Sequence, residues 1–321
     1  MRKAMYEAEV GDDVYSEDPT INALQDRSAE ITGKQAAIFV PSGSMGNLIS
    51  IFLNCGRGNE VIAHEKSHIF HYELTSLASI AGAMPVTAPG KRGILTPEAV
   101  EPLIRPGAYY MPRTRMIEFE NTHNLECGTC WSVEELATIA SFARKHHLAT
   151  HLDGARLMNA AVAQGVDISE FCKFADTVTF CLSKGLGAPV GSVLCGEKHF
   201  IDEARRVRNL LGGGMRQAGI LAAAGHYALD NHIERLADDH AHAALIGSVL
   251  AEVEWAELDP RTIETNLVYF DTTNDAAQIV KKLEKKSVRF FASGSRTIKL
   301  ATCLEQSRED IETVCEAIRA I

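Results

Sequence analysis

The sequence predicts an α/β fold with a large domain built on a mostly parallel sheet and a small C-terminal α+β domain. Short apolar or β-branched runs alternate with helical patterns over roughly two hundred residues, which is typical of a parallel sheet with helices on both faces. After about residue 215 the pattern changes to a long helical stretch rich in Ala and Leu. The length of 321 residues suits two domains, and we predict them at 1–230 and 231–321.

The predicted strands are short, and each ends at polar or glycine-rich residues. Those of the large domain are Ala36–Val40, Glu60–Ala63, Met116–Glu120, Ala149–Leu152, Thr177–Cys181 and Ser192–Cys195. Apolar residues at three- and four-residue spacing predict helices at 133–146 and, as one long stretch, at about 217–253. The small domain is predicted to contain strands at 267–270, 289–292 and 297–301 and helices near 275–286 and 307–320.

The charge balance argues against nucleic acid or an anionic membrane as the main partner. Lys and Arg total 32 against 42 Asp and Glu, a net charge of −10, whereas those two partners attract basic surfaces. The apolar runs are much shorter than the ~18 to 20 residues of a membrane span. Residues 1–7 do not have the pattern of a secretory signal. We therefore expect a cytoplasmic protein with a small-molecule substrate.

The eight cysteines lie mostly in apolar runs, as reduced cysteines of a cytosolic core do. Cys127 and Cys130 differ because their two-residue gap also occurs in redox and zinc sites. No second pair completes a four-cysteine zinc site, and the flanking residues show no thioredoxin-like pattern. We interpret this pair as structural and expect no metal site.

A small-residue turn follows the first strand, at the sheet edge where open α/β sheets bind ligands. In this turn, residues 41–47, a helix N-terminus and the hydroxyls of Ser42 and Ser44 offer donors to a phosphate. Alone, such a turn more commonly only caps a helix.

Asp153, Arg156 and Lys184 follow two later strands. Asp153 and Arg156 alone could be a local ion pair. Lys184 lies between an apolar strand and glycines, where a surface lysine is hard to explain and a neutral amine could form a Schiff base. Asp153 precedes Lys184 by one βαβ unit, so the two should lie at neighbouring strand ends. A phosphate cup, an aldehyde-bonding lysine and a carboxylate for the pyridine nitrogen together predict pyridoxal phosphate.

Longer motifs extend this interpretation over nearly the whole chain. They are GDDVY at 11–15, ENTHN at 120–124, HLDGAR at 151–156, CLSKGLGAPVGS at 181–192 and GGGMRQ at 212–217. In these motifs the chain resembles the low-specificity L-threonine aldolases, pyridoxal-phosphate enzymes with the aspartate-aminotransferase-like fold (fold type I) in the β-eliminating lyase group. The resemblance implies reversible cleavage of L-threonine, L-allo-threonine and related β-hydroxy-α-amino acids to glycine and an aldehyde.

The resemblance also implies a role for each cofactor-binding residue. Lys184 would bond the aldehyde, Asp153 would pair with the pyridine nitrogen, and Arg156 would face the phenolic oxygen. Gly43 and Ser44 would hold the phosphate.

Two histidines are implied near the reacting atoms. His68 matches the histidine that stacks on the cofactor ring, and His123 matches one near the substrate hydroxyl. A histidine with a near-neutral pKa suits removal of the hydroxyl proton, so both are candidate bases. His64 and His71 are alternatives that we expect to lie farther from the substrate.

Arg216 lies in a segment that the family uses at a subunit interface, where it approaches the neighbouring cofactor phosphate. The resemblance therefore implies a homotetramer, a dimer of dimers with sites at the interfaces. The three glycines before Arg216 also fit a flexible hinge.

The chain departs from the family at the substrate carboxylate. Family members usually begin with an Arg-Ser-Asp-Thr-Val-Thr segment, upstream of the position of Met1, whose serine lies near the carboxylate. Lys299 stands where the family has the arginine that binds the carboxylate. Arg296 is an alternative ligand, although side chains three apart on a strand point to opposite faces; Arg156 is a third candidate.

Two other functions remain open from the sequence. One is another lyase on the same scaffold, a phenylserine aldolase or an aromatic amino-acid β-eliminating lyase. The other is an α/β protein that keeps the fold without this cofactor.

Overall fold

A seven-stranded sheet forms the centre of the large domain in the computed structural model, which describes residues 1–321. Its strands are β1 (Ala36–Val40), β2 (Glu60–His64), β3 (Met84–Ala88), β4 (Thr114–Glu120), β5 (Ala149–Gly154), β6 (Thr177–Cys181) and β7 (Ser192–Gly196). They are ordered β1-β7-β6-β5-β4-β2-β3. Only β7 runs antiparallel to its neighbours, so the predicted mostly parallel sheet is confirmed.

Helices cover both faces of this sheet, and others build the small domain. They are α1 (Arg2–Tyr6), α2 (Pro19–Thr32), α3 (Gly43–Asn54), α4 (His68–His71), α5 (Ser76–Ser79), α6 (Pro97–Val100), α7 (Val133–Lys145), α8 (Leu157–Gln164), α9 (Ile168–Cys172), α10 (Lys198–Leu210), α11 (Gly219–Asn231), α12 (Leu236–Leu250), α13 (Ala276–Glu284) and α14 (Arg308–Arg319). None is long and apolar enough to cross a bilayer.

The small domain contains a four-stranded antiparallel sheet. Its strands are β8 (Ala256–Glu257), β9 (Leu267–Thr272), β10 (Phe291–Ala292) and β11 (Thr297–Ala301), in the order β10-β11-β9-β8. Helices α12, α13 and α14 pack on this sheet and supply most of a separate apolar core. Along α12, Leu236 belongs to the core of the large domain and Ala243 to that of the small one.

The long helical stretch predicted at 217–253 is wrong in one respect, because it consists of two helices, α11 and α12. The break between them contains no glycine or proline. His232 ends α11 there and its Nδ1 contacts the backbone oxygen of Leu186 at 2.6 Å, a tertiary contact that local sequence does not encode. Strand β3 was also absent from the prediction. It is an edge strand with Met84 and Pro85 exposed, so it lacks the apolar run of a central strand.

Candidate active site

Two adjoining cavities open at the carboxyl edge of the parallel strands. The deeper one, of about 200 Å³, lies between β5, β6 and the start of α3, and the other, of about 480 Å³, lies between the two domains. Both are lined by His68 and Lys184. The deeper cavity is also lined by Pro41, Ser42, Gly43, Ser44, Asn47, Asp153, Ala155, Cys181 and Ser183. The interdomain cavity is also lined by Tyr72, Asn124, Arg156, Phe291, Ser293, Lys299, Leu300 and Ala301.

The turn before α3 presents a helix N-terminus to the deeper cavity. Ser42 caps the helix, its Oγ accepting a hydrogen bond from the Met45 amide at 3.2 Å. The amides of Gly43 and Ser44 lie in the first turn, where a helix offers them no backbone acceptor. A Cβ at Gly43 would lie 2.9 Å from the sulfur of Cys181, so glycine allows the close approach to β6. These free donors and the helix dipole suit a phosphate.

Asp153 lies at the end of β5, beside the turn that carries Lys184 after β6. Its side chain is buried. Oδ2 accepts a hydrogen bond from Asn47 Nδ2 at 2.7 Å, and Oδ1 accepts one from the Ala155 amide at 3.0 Å. Two donors from different elements therefore fix the plane of the carboxylate.

A buried network extends from Asp153 through Asn47. Asn47 Nδ2 also donates to Glu73 Oε1 at 2.9 Å, and Asn47 Oδ1 lies 3.0 Å from His151 Nε2. His151 Nδ1 lies 3.0 Å from the hydroxyl of Thr177. Burial lowers the pKa of His151 to about 4, so its ring is neutral at physiological pH.

His68 is held at the mouth of the deeper cavity by two acids. Its Nδ1 contacts Glu73 Oε1 at 2.8 Å, and its amide donates to Glu120 Oε2 at 2.9 Å. Burial opposes the charged ring, but the hydrogen bond to Glu73 and the nearby carboxylates of Asp153, Glu73 and Glu120 outweigh it and raise the pKa of His68. Nε2 makes no hydrogen bond, which leaves it free for a ligand.

The interdomain cavity has a cationic end formed by Lys299 on β11. Lys299 Nζ donates to Asn124 Oδ1 at 2.7 Å and lies 5.1 Å from the centre of the Tyr269 ring. Burial lowers the pKa of Lys299 to about 8, with a further contribution from the positive charges of Arg156 and Lys184. Lys299 thus loses its charge in the mildly alkaline range.

Arg156 adjoins both cofactor and substrate regions from the N-terminus of α8. Its Nε is buried and has no hydrogen-bond partner. Because burial without a partner is costly for a guanidinium, this atom indicates that an acceptor belongs in the cavity.

His123 and Arg296 do not line either cavity. His123 is fully buried, both ring nitrogens lack partners, and its ring packs edge-on against His64 with 4.8 Å between centroids. Burial, reinforced by His64, lowers the pKa of His123 to about 3. Arg296 is exposed, and its guanidinium donates to the Thr272 oxygen at 2.7 Å and to Glu257 at 3.1 Å.

The other residues singled out in the sequence also lie outside the cavities. His64 is buried, with Nε2 3.2 Å from the Gly90 oxygen, and His71 is exposed, with Nε2 2.8 Å from the Glu65 oxygen. Arg216 is exposed and its guanidinium pairs with Asp12.

The Cys127 and Cys130 thiols belong to no cluster of metal-ligand side chains. Burial raises the pKa of Cys127 to about 11 and also raises that of Cys130, which disfavours the thiolates that redox and zinc chemistry require.

The residues that line the cavities fit pyridoxal phosphate. An amine (Lys184), a fixed carboxylate (Asp153), a helix N-terminus (at Gly43) and an unpaired guanidinium atom (on Arg156) surround the joined cavities. These groups match the cofactor's aldehyde, pyridine nitrogen, phosphate and phenolic oxygen.

Four residues of this site escaped the sequence interpretation: Asn47, Glu73, Glu120 and Asn124. Glu120 ends β4 as Asp153 ends β5, so the rule that found Asp153 also applies to it. Asn47 lies one helical turn after Gly43 and shares its face of α3. Glu73 reaches the site from an irregular segment after α4, and no sequence signal marks it.

Comparison with known proteins relates the chain to one family. The beta-eliminating lyase family model matches residues 1–273. Low-specificity L-threonine aldolase 1 of Arabidopsis thaliana is 41% identical over 97% of this chain and 89% of its own length. The low specificity L-threonine aldolase of Escherichia coli (strain K12) is 40% identical over 100% of this chain and 94% of its own length.

Solved structures show the same fold at low sequence identity. Leishmania major threonine aldolase superposes with a TM-score of 0.82 at 20% identity, over 98% of this chain and 92% of that one. Sphingomonas wittichii serine palmitoyltransferase gives a TM-score of 0.77 at 16% identity, over 99% and 81%.

Proposed function

The chain belongs to the beta-eliminating lyase family, and we propose that it is a pyridoxal-phosphate-dependent aldolase. Its reaction is the reversible cleavage of L-threonine, L-allo-threonine and related β-hydroxy-α-amino acids to glycine and an aldehyde, which is acetaldehyde for threonine. The observation that carries the proposal is the convergence of Lys184, Asp153 and the N-terminus of α3 on one cavity. The full-length similarity to L-threonine aldolases supports the same reaction.

The large domain supplies the residues that hold the cofactor. Lys184 bonds its aldehyde, Asp153 accepts from its protonated pyridine nitrogen, and Gly43 and Ser44 hold its phosphate. Arg156 meets the phenolic oxygen with the Nε that has no partner in the protein. When bound, pyridoxal phosphate supplies an electron sink for the electrons of the broken Cα–Cβ bond.

Lys299, together with Arg156, binds the substrate carboxylate. Both side chains line the interdomain cavity, and Arg296 faces away from it. The choice of which bond at Cα breaks depends on how the carboxylate and the hydroxyl are held. Lys299 and Arg156 fix one end of the substrate, and the histidine that meets the hydroxyl fixes the other.

His68 takes the proton of the substrate hydroxyl on Nε2. Glu73 contacts Nδ1 and stabilises the imidazolium that results. A nitrogen without a partner at the junction of both cavities supports this assignment. His123 remains the second candidate, and its neutral ring would have to act from behind the cavity wall.

The test is a spectrum and a product analysis of the purified protein. We expect a visible absorbance band that borohydride removes, and release of glycine and acetaldehyde from L-allo-threonine or L-threonine. Lys184→Ala should abolish band and turnover, whereas Lys34→Ala, at another half-buried lysine outside the site, should keep both. A band and turnover that survive in Lys184→Ala would refute the role of Lys184.

The products separate aldol cleavage from the rival lyase. An aromatic β-eliminating lyase releases a 2-oxo acid and ammonia, and no glycine. A protein with no absorbance band and no borohydride adduct would be a member of the fold without this chemistry.

The chain acts as a cytoplasmic homotetramer in this proposal, with Arg216 reaching the cofactor phosphate of a neighbouring subunit. Exposure of Arg216 and of the neighbouring Tyr15 side chain supports an interface there. An interface of this kind has two-fold symmetry.

Subunit mixing tests the position of Arg216. Arg216→Ala subunits mixed with Lys184→Ala subunits should regain part of the activity, because some interfaces then combine an intact lysine with an intact arginine. No recovery, once subunit exchange is demonstrated, would place Arg216 outside the neighbour's site.

A further inference from the structure

Glu118 on β4 is a buried acid to which the proposed reaction assigns no role. It is 0% exposed, and neither carboxyl oxygen has a hydrogen-bond partner. In the sheet, Glu118 lies beside His151 and Glu120 lies beside Asp153. Alternate residues of a strand share a face, so all four side chains lie on the face covered by Asn47 and α3.

This face carries an unusual excess of acids. It holds four carboxyl groups, those of Glu73, Glu118, Glu120 and Asp153. Burial raises the pKa of Glu118 well above its usual range, and the negative charges of the other three acids raise it further. The Ser67 hydroxyl has the opposite, smaller effect on this pKa. His68 contacts these acids through Glu73, with 2.8 Å between Nδ1 and Oε1.

No cation pairs with Glu118. His151, its neighbour in the sheet, is neutral because burial lowers its pKa to about 4. The charges of Lys184, Arg156 and Lys299 lie farther out, along the cavities. A fully buried carboxylate is strongly disfavoured in its ionised form when it has no cation beside it and no hydrogen bond from the nearby Ser67 hydroxyl, and such a group keeps its proton instead.

We propose that Glu118 is a protonated carboxylic acid, which fills the layer beside Asp153 and His68 without adding a negative charge. Glu73, Asp153 and Glu120 then remain the acids that act on His68, and Asp153 is the one that meets the cofactor nitrogen. The roles of His68 and Asp153 rest on the proposed function, whereas the protonation of Glu118 does not.

The consequence concerns the acid–base balance of the site. An ionised Glu118 would hold a proton on His68 more tightly and leave less neutral ring to accept the substrate proton. A neutral Glu118 leaves Glu73, Asp153 and Glu120 as the acids that raise the pKa of this ring. Replacement by glutamine should therefore change the pKa of His68 at position 73 but not at position 118.

Infrared spectroscopy of the full chain tests the protonation of Glu118, with and without bound cofactor. We expect the carbonyl stretch of a protonated carboxylic acid at neutral pH, diminished in Glu118→Gln. Glu60→Gln is the matched control, because Glu60 is equally buried but is paired with Arg105 at 3.0 Å. Burial also raises the pKa of Glu120 to about 7, so only the part of the band that Glu118→Gln removes is assigned to Glu118. An equal band in wild type and Glu118→Gln, or a difference between the two that disappears between pH 5 and 7, would overturn the proposal.

The titration of His68, followed by the NMR signal of its ring C–H in the full chain, tests whether Glu118 carries a charge. Glu73→Gln removes a carboxylate 2.8 Å from Nδ1 and should lower the midpoint by about one unit. Glu118→Gln should leave the midpoint within about 0.3 units, because it replaces one neutral group by another. A fall in Glu118→Gln comparable to that in Glu73→Gln would show that Glu118 is ionised.

Glu118→Leu provides a second variant should Glu118→Gln fail to fold, and both measurements apply to it unchanged. These outcomes are independent of the Lys184→Ala experiment, so failure of this proposal and failure of the proposed function are distinguishable.

Discussion

At the cofactor end of the site, Asp153 accepts hydrogen bonds from Asn47 and from a backbone amide, and Asn47 is itself bonded to two further buried groups. At the substrate end, Lys299 makes one hydrogen bond, to Asn124. The first group is fixed from several elements of the large domain, whereas the second is a flexible side chain on a strand of the small domain. The two ends of one cavity therefore differ in how tightly their charges are oriented.

This difference suggests that one end of the site determines the reaction rate and the other determines substrate binding. The groups proposed to meet the cofactor lie at strand ends and at a helix N-terminus, where the backbone fixes their positions. The groups proposed to meet the substrate come from both domains, and β11 carries Lys299. We infer that substitutions at the fixed end change the reaction rate, and that those at the loose end change substrate binding.

Asp153→Asn should have the largest effect, because an amide cannot stabilise a protonated pyridine nitrogen by charge. Loss of a charge-assisted hydrogen bond worth about 2 to 3 kcal/mol lowers turnover by roughly 30- to 160-fold. Asp239→Asn is a control, since Asp239 is buried and pairs with Arg235 outside the site; it should affect stability alone. Near-wild-type kcat in Asp153→Asn would show that the fixed end is merely structural.

Lys299→Arg should strengthen binding of the substrate carboxylate. Arginine binds a carboxylate with two parallel hydrogen bonds and lysine with one compact charge, so KM for L-allo-threonine should fall roughly tenfold, the equivalent of about 1.4 kcal/mol. With wild type, KM should rise as pH passes about 8, where Lys299 loses its proton. The arginine variant should lack this component of the rise, because its side chain stays charged.

The Lys299 prediction has a specific contrary outcome. An unchanged or higher KM in Lys299→Arg, together with lost binding in Arg296→Ala, would make Arg296 the carboxylate ligand. That result would require the Arg296 side chain to leave its contacts with Thr272 and Glu257.

Glu73→Gln should shift the pH profile of kcat. The pKa of His68 is raised by Glu73, and the base must be neutral to accept a proton, so activity rises as pH increases through that raised value. Without the carboxylate the acid limb should move to lower pH by about one unit. If the limb stays in place, a group other than His68 is the base. His123→Asn, measured in parallel, then shows whether His123 takes that role.

Glu118→Leu should have the smallest effect, a modest gain in the free energy of unfolding. Removing an unpaired polar group from the interior is worth about 1 to 2 kcal/mol when the replacement has a similar volume. Glu60→Leu should do the opposite, because it leaves the Arg105 guanidinium unpaired. Chemical denaturation of both variants measures their free energies of unfolding. A loss of stability in Glu118→Leu would reveal a partner for Glu118.

The sequence predicted what is local and repetitive. The central strands were found because they are apolar runs that end in polar residues, and Asp153 and Lys184 were found because they follow such strands. The contact between Asn47 and Glu73 joins residues 26 positions apart, and its distance of 2.9 Å depends on how α3 packs on the sheet. The break before α12 depends likewise on a tertiary contact of His232. Such features depend on tertiary packing, which local sequence patterns do not predict.

The hydrogen bonds that run from Thr177 through His151 and Asn47 to Asp153 all donate in the same direction. Because Nδ2 donates to both Glu73 and Asp153, Oδ1 must accept from Nε2–H of His151, and the bare Nδ1 of that neutral ring accepts from the Thr177 hydroxyl. These aligned dipoles all point their positive ends towards Asp153, which forms no salt bridge within the protein. Oriented neutral groups thus take the place of a counter-ion, and the carboxylate of Asp153 stays available to a cationic group of a ligand, which in the proposed function is the protonated pyridine nitrogen.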